Sequence, residues 1–286
     1  MQQPEISMAP LIKSIFTAYT EEGQGERESA LAYALSLAQE TGAHLTIQAA
    51  AMLYAVPASL IGDFGVAFVH AENRRIGVLA ERFAELARTS AGLAGVTSTI
   101  ETPRLVYAEL DSHLVAHARV HDLSVLDLEK NAAERDRGLI EAALFDSARP
   151  VIIVPPGCET FAAKRILIAW DGSASAARTV AELRPFLPGA EVEILSVTGE
   201  KDLSRFVAGA ELAPHLSRHG ASVTVRNVAV SGGNDVAETI RQAAIDFRAD
   251  LIACGAYKHS RLREWLLGGV TQSLLKSTPL PLLMSH

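Results

Sequence analysis

The chain has 286 residues, 49% of them apolar and 21% charged, with a formal net charge of −7. A length of this order fits two domains, and the apolar fraction lets each bury a core. The acidic balance excludes a general nucleic-acid or membrane-surface role, which needs a basic face, and no apolar run is long enough to span a bilayer. Met1-Gln-Gln-Pro-Glu5 has neither a basic n-region nor an apolar h-region, so a cytoplasmic chain is expected. Cys158 and Cys254 then read as ordinary reduced thiols.

In chain order, a strand is expected over Lys13 to Thr20, followed by an apolar, Gly-containing insert from Ala55 to Phe68. That insert reads as a lid over an apolar ligand or, more simply, as a segment packed on its own domain. A long helix follows, with Ile76, Leu79, Ala80, Phe83, Leu86 and Ala87 as its buried face. Leu110 to His121 reads as a second helix. Strands are expected at Leu123–Leu126 and Val151–Val154, and a linker at Pro155-Pro-Gly-Cys-Glu-Thr160, where Pro and Gly punctuate the chain.

The second half is cleaner. Arg165 to Trp170 is an apolar strand ending at Asp171-Gly172. Ser173 is expected to cap a helix that runs through Leu187. Glu191 to Val197 alternates as a strand. Leu203 to Leu216 has helical spacing, which Pro214 must disturb. Ser222 to Val230 is a strand, Asp235 opens a helix through Phe247, and Leu251–Cys254 and Leu282–Ser285 are strands. The order βαβαβαβ followed by αβ implies a parallel sheet with helices on both faces.

The chain also repeats itself. Lys13–Thr20 aligns with Lys164–Asp171, and His121–Leu126 with Ala249–Cys254. Gly138–Leu144 aligns with Gly269–Leu275, and Arg149–Val154 with Leu280–Ser285. Four weak matches in one order mean two copies of a domain.

One stretch carries most of the chemistry. After the strand at Leu251–Cys254 comes Gly255, then a basic loop with Lys258, His259, Arg261 and Arg263, then Gly268-Gly269-Val270-Thr271 at a helix start. Bare N–H groups and the positive end of a helix dipole there can hold an anion. An exposed basic loop is the plainer alternative.

These residues resemble the universal stress protein family, and the whole chain looks like its tandem, two-domain type. The resemblance rests on Ile166-Leu-Ile-Ala-Trp-Asp-Gly-Ser173 and on the Gly255-to-Thr271 loop. The family's nucleotide loop reads Gly, two residues, Gly, nine residues, Gly, then often Ser or Thr. Here Gly255 and Gly268 stand on the first and third of those glycines, and Lys258 stands where the second is expected. If residue 258 needs a positive φ, Lys costs about 1 kcal/mol or more; as a point charge it would instead bind phosphate.

The resemblance implies two open five-stranded parallel sheets of order 3-2-1-4-5, an adenine-nucleotide alpha-hydrolase-like architecture, over residues 8–156 and 162–286. It implies ATP, with or without magnesium, at the switch point of the second sheet. Asp171 would meet the nucleotide and the backbone at Val197 the adenine edge. Gly255 would let the chain turn off its strand, Gly268, Gly269 and Val270 would admit phosphates, and Thr271 would offer a hydroxyl or cap its helix. In the first copy Thr20 replaces Asp171, Asp127 replaces Gly255, Ile140 replaces Thr271, and the loop from Asp127 to Arg137 carries four acids. That copy is expected to bind no ATP and to pair with the second about a pseudo-twofold, leaving a monomer or a homodimer.

The functional expectation is a stress-response protein with ATP as a regulatory ligand. Its rivals are a nucleotide-free adaptor, a slow ATPase, and a metal or apolar-ligand binder using the first copy. His113, His117 and His121 are four apart on one helix face, a spacing that suits zinc. The plainer reading is a solvated polar stripe opposite Leu114, Val115, Ala118 and Val120. Ser173 has no His tied to it by motif, so capping explains it better than nucleophilic catalysis.

Overall fold

The computed structural model describes residues 12–20, 29–55, 63–128, 134–198, 209–230, 235–259, 266–267 and 269–286. The first half runs β1 (Ser14–Thr20), α1 (Ser29–Thr41), β2 (His44–Leu53), α2 (Asp63–Ala94), β3 (Ser98–Glu101), β4 (Arg104–Val106), α3 (Tyr107–Val120), β5 (Leu123–Asp127), α4 (Glu134–Asp146) and β6 (Val151–Val154). The second half runs β7 (Arg165–Ala169), α5 (Ala174–Glu182), β8 (Glu191–Thr198), α6 (Gly209–Arg218), β9 (Ser222–Ala229), α7 (Val236–Phe247), β10 (Leu251–Gly255), β11 (Lys258–His259), β12 (Leu266–Leu267), α8 (Gly269–Lys276) and β13 (Leu282–Ser285).

The strands order as β3-β2-β1-β5-β6 in the first half and β9-β8-β7-β10-β13 in the second. Each half is therefore a parallel sheet of order 3-2-1-4-5. The last strands of the halves pair antiparallel, with Ile153 opposite Leu282 and Ile152 opposite Leu283, so the molecule holds one eleven-stranded sheet. β6 and β13 are buried along their whole length, as strands covered on both faces should be.

The repeat is in register. Ile15 lies opposite Leu123 in the first half, and its counterpart Ile166 lies opposite Leu251 in the second. A carboxylate clamp recurs with it. The N–H groups of Lys13 and Ser14 donate to Asp122 Oδ2 at 2.8 and 2.9 Å, and those of Lys164 and Arg165 donate to Asp250 Oδ2 at 3.0 and 2.8 Å. Burial would raise the Asp122 carboxyl, but these N–H groups, the Ser14 hydroxyl and Arg149 outweigh it and hold its pKa below the usual value of 3.8.

Among the described residues two large apolar clusters cross the seam. One joins Tyr33, Leu37 and Phe83 to Val180, Leu183 and Leu216; the other joins Leu114, Leu144 and Ile153 to Ile240, Leu274 and Leu282. The segment between the halves lies along α1. Gly157 N–H donates to Ser29 Oγ at 3.0 Å, Phe161 N–H donates to Ser36 Oγ at 3.1 Å, and Phe161 packs edge-on against Tyr33 at 5.6 Å.

Several elements depart from the sequence expectation. α5 stops at Glu182, and a 3-10 turn over Arg184–Phe186 replaces its expected last turns, because Pro185 lacks the N–H an α-helix needs there. α6 contains Pro214 within its length. α2 spans 32 residues and starts inside the insert at Asp63. Ile76, Ala80, Phe83 and Ala87 are buried on it as expected, whereas Leu86 is 51% exposed. Phe68 of the insert is 67% exposed, and residues 56–62 lie outside the described residues.

Candidate functional site

The site is built where β7 and β10 end side by side, with Ile252 opposite Leu167 and Cys254 opposite Ala169. After β7 the chain turns at Gly172, whose φ of +71° suits a residue without Cβ. Ser173 N–H donates back to Asp171 Oδ1 at 3.0 Å, an Asx turn that fixes the carboxylate at the strand end. Ser173 caps α5 as expected: its Oγ accepts from Ala176 N–H at 3.1 Å. Ser175, which the sequence reading passed over, places its Oγ 3.1 Å from that of Ser173. The only signal for it was the Ser-Ala-Ser spacing after Gly172.

Gly255 is needed for room, not for an unusual φ. A Cβ there would lie 2.5 Å from Ala176 N and 2.6 Å from Ser175 Oγ. The end of β10 and the first turn of α5 therefore meet backbone to backbone. Burial and the nearby Asp171 charge push the Cys254 thiol up to about 12, so this cysteine is an inert core residue beside the carboxylate. Thr179 Oγ1 donates toward the carbonyl oxygens of Ser175 at 3.0 Å and Cys254 at 3.2 Å, tying the helix to the strand.

The loop after β10 is closed by a short hairpin. Lys258 pairs with Leu267 and His259 with Leu266, antiparallel. Lys258 thus sits in an extended strand, and the positive-φ cost considered for it does not arise; the non-glycine residues with positive φ among the described residues are Ala148 and Arg248. Arg261, Arg263 and Gly268 lie outside the described residues, as do the side chains of Lys258 and His259.

α8 begins at Gly269, which places Val270 and Thr271 in its first turn. Thr271 is within the helix, so it does not cap it. Its side chain is buried, and its Oγ1 accepts from Tyr257 N–H at 3.2 Å, tying the two ends of the loop together. Arg241 on α7 anchors the other end of α8 by donating to the carbonyl oxygens of Ser273 and Ser277, both at 2.6 Å. His286 Nδ1 donates to Ala256 O at 3.2 Å, and Arg178 of α5 donates to the His286 carbonyl. Val197, half-buried near the end of β8, pairs with Val228 one strand further out.

The matching corner of the first half is built differently. Asp127 ends β5, and its Oδ1 accepts from Ala30 N–H in the first turn of α1 at 2.7 Å. A carboxylate of the chain itself occupies the helix start that Ser173 caps in the second half.

The three histidines of α3 correct an expectation. They lie partly buried against β2 and β3 rather than forming a solvated stripe, with His117 Nε2 3.3 Å from Glu101 Oε2. His113 Nδ1 donates to Gln48 Oε1 at 2.9 Å, and His121 uses both ring nitrogens, Nδ1 to His117 O at 2.7 Å and Nε2 with Thr46 Oγ1 at 2.9 Å. No group of three or more His, Cys, Asp or Glu that could hold a metal occurs among the described residues. The stripe lies on the sheet because β2 offers polar partners at Thr46 and Gln48 on that face. Val120, assigned to the apolar side, is instead 73% exposed.

The fold defines a duplicated, doubly wound α/β protein with a strand-end corner in each half. Residues 162–286 match the model of the universal stress protein family. The whole-chain fold is similar to a universal stress protein from Archaeoglobus fulgidus DSM 4304, at 16% identity and a TM-score of 0.66, over 95% of this chain and 97% of that one. It is also similar to a functionally unknown protein from Pseudomonas aeruginosa PAO1, at 15% identity and a TM-score of 0.56, over 97% and 93%. No curated protein matches the sequence. Among the described residues no helix is long and apolar enough to cross a membrane.

Proposed function

We propose that the protein is a cytoplasmic stress-response protein whose second half binds ATP or a related adenine nucleotide as a regulatory ligand. The observation that carries this reading is the contrast at the strand-four end. Gly255 leaves the corner without a side chain, whereas Asp127 fills the equivalent corner of the first half. An anion brought to the first half would meet that carboxylate; in the second it would meet N–H groups at the start of α8.

The residues present fit the nucleotide in part. Asp171 stands at the end of strand one, where a carboxylate can accept from ribose hydroxyls. Backbone groups at Val197 suit an adenine edge, and Gly269 and Val270 offer N–H groups to phosphates. Thr271 would act indirectly, by holding the loop through Tyr257. Lys258, His259, Arg261 and Arg263 would supply positive charge, and Gly268 close approach; magnesium, if it accompanies the nucleotide, would offset phosphate charge. We keep one second reading, a nucleotide-free adaptor, because the Thr271 hydroxyl and one oxygen of Asp171 are already engaged within the chain.

Isothermal titration of ATP into the folded protein separates the two. The proposal expects one site per chain, with Asp171→Ala weakening binding about tenfold or more. Absence of heat at millimolar ATP from a folded sample would overturn the nucleotide reading. Slow turnover would appear as ADP accumulating over hours with magnesium.

A further inference from the structure

We propose that α3 is a proton-operated switch: uptake of protons by the row His113, His117 and His121 loosens this helix from the sheet and bares the apolar surface of Phe16 and Leu114.

The row is compact. Ring centroids of His113 and His117 are 4.7 Å apart, those of His117 and His121 are 6.4 Å apart, and Phe16 stacks on His117 at 5.5 Å. His121 is 9% exposed. Its Nδ1–H is committed to the His117 carbonyl, so neutral Nε2 accepts from the Thr46 hydroxyl. A proton on Nε2 would force that hydroxyl to turn and accept instead.

The groups around the row hold little countercharge. Toward it β1 presents Phe16, β2 presents Thr46 and Gln48, and β3 presents Glu101, whose Oε2 lies 3.3 Å from His117 Nε2. Arg104 of β4 sends its guanidinium to Gly77 on α2, where a Cβ would lie 3.5 Å from Nη2. Asp146 of α4 acts on Asp111, and Arg119 donates to the Asp146 carbonyl at 2.9 Å. Glu109 accepts from Val106 N–H at 3.3 Å, and Asp122 is held by Lys13 and Ser14. Glu101 can neutralise the first proton taken up. A second meets an imidazolium a few ångströms away and no further carboxylate among the described residues facing the row.

The closed state is also imperfect. Gln48 is fully buried, and its Nε2 finds no hydrogen-bond partner. An orphaned buried donor penalises the packed helix and is relieved if α3 lifts. Leu110, Leu114, Val115 and Ala118 hold it down at neutral pH.

The sign follows from His117. Burial disfavours its charged form most, His113 and His121 add to that, and Glu101 opposes it, with the net effect a pKa below the ordinary 6.5. The stability contributed by neutral His117 is therefore fully present above pH 6.5 and is lost as pH falls through its folded value.

The test is amide hydrogen exchange between pH 7.5 and 5.0, corrected for intrinsic rates, on the full chain. α7 is the internal control: it is the counterpart of α3 in the second half and carries no histidine. Protection in α3 should fall about tenfold or more relative to α7, the equivalent of one unit of pKa, with a parallel rise in binding of a hydrophobic dye. In His117→Gln the fall should shrink. If that variant does not fold, ring-proton titration of the wild type decides: a depressed His117 midpoint that tracks the loss of α3 protection supports the switch. Equal changes in α3 and α7, or a His117 midpoint at the ordinary 6.5 with α3 protection unchanged, overturn it.

Discussion

The two halves start the helix after their first strand by opposite means. In the first, the carboxylate of Asp127 reaches from the end of β5 to the Ala30 N–H of α1. In the second, the cap is local, Ser173 to Ala176, and the strand end must be glycine because Ala176 N lies where a Cβ would be. A cap supplied by the fourth strand stabilises the fold and closes the corner. A cap supplied by the helix's own first turn stabilises it and lets the strand end pack against the helix backbone. The same backbone plan thus yields two differently capped helices through the exchange of a few residues.

Transplanting the first-half residue into the second is the strongest way to break this comparison. Gly255→Asp should destabilise the chain by about 3 kcal/mol through overpacking, read as a lower denaturation midpoint, with loss of any nucleotide binding. The reverse change is milder. Asp127→Ala removes the α1 cap and should cost about 1–2 kcal/mol in the same measurement, with nucleotide affinity unaltered. Ser173→Ala should cost about 1 kcal/mol, and ATP titration should show whether the open corner depends on that cap. Smallest is the clamp. The folded pKa of Asp122 is depressed, so its contribution is present above pH 3.8 and fades as pH falls through the folded value. The stability gap between wild type and Asp122→Asn should therefore close in acid.

Much of the architecture was legible because it rests on local pattern. The apolar runs at Leu251–Cys254 and Leu282–Ser285 are strands, and Ser173 and Asp235 cap their helices as expected. The repeated Asp at 122 and 250 was visible as part of an alignment, although its hydrogen-bonding duty was not. What escaped depends on tertiary approach. Gly255 was read as a source of conformational freedom, and only the position of α5 explains it as a matter of space. Thr271 read as a hydroxyl available to a ligand, because nothing in the sequence places Tyr257 N–H beside it. The α3 histidines read as either ligands or a wet face, since a helix periodicity does not say that the strand beneath carries Thr46 and Gln48.

The seam between β6 and β13 has a further consequence. If the two halves were separate, identical subunits, a substitution in one corner would appear in both, and a protein that needed its nucleotide site could never trade it for a better-capped helix. Joining the copies through Pro155–Ala163, with their last strands laid side by side, breaks that bond. The paired strands keep both halves in one body while each corner answers to its own codons. One copy is thereby free to change its corner, as Asp127 shows, while the other keeps its glycine.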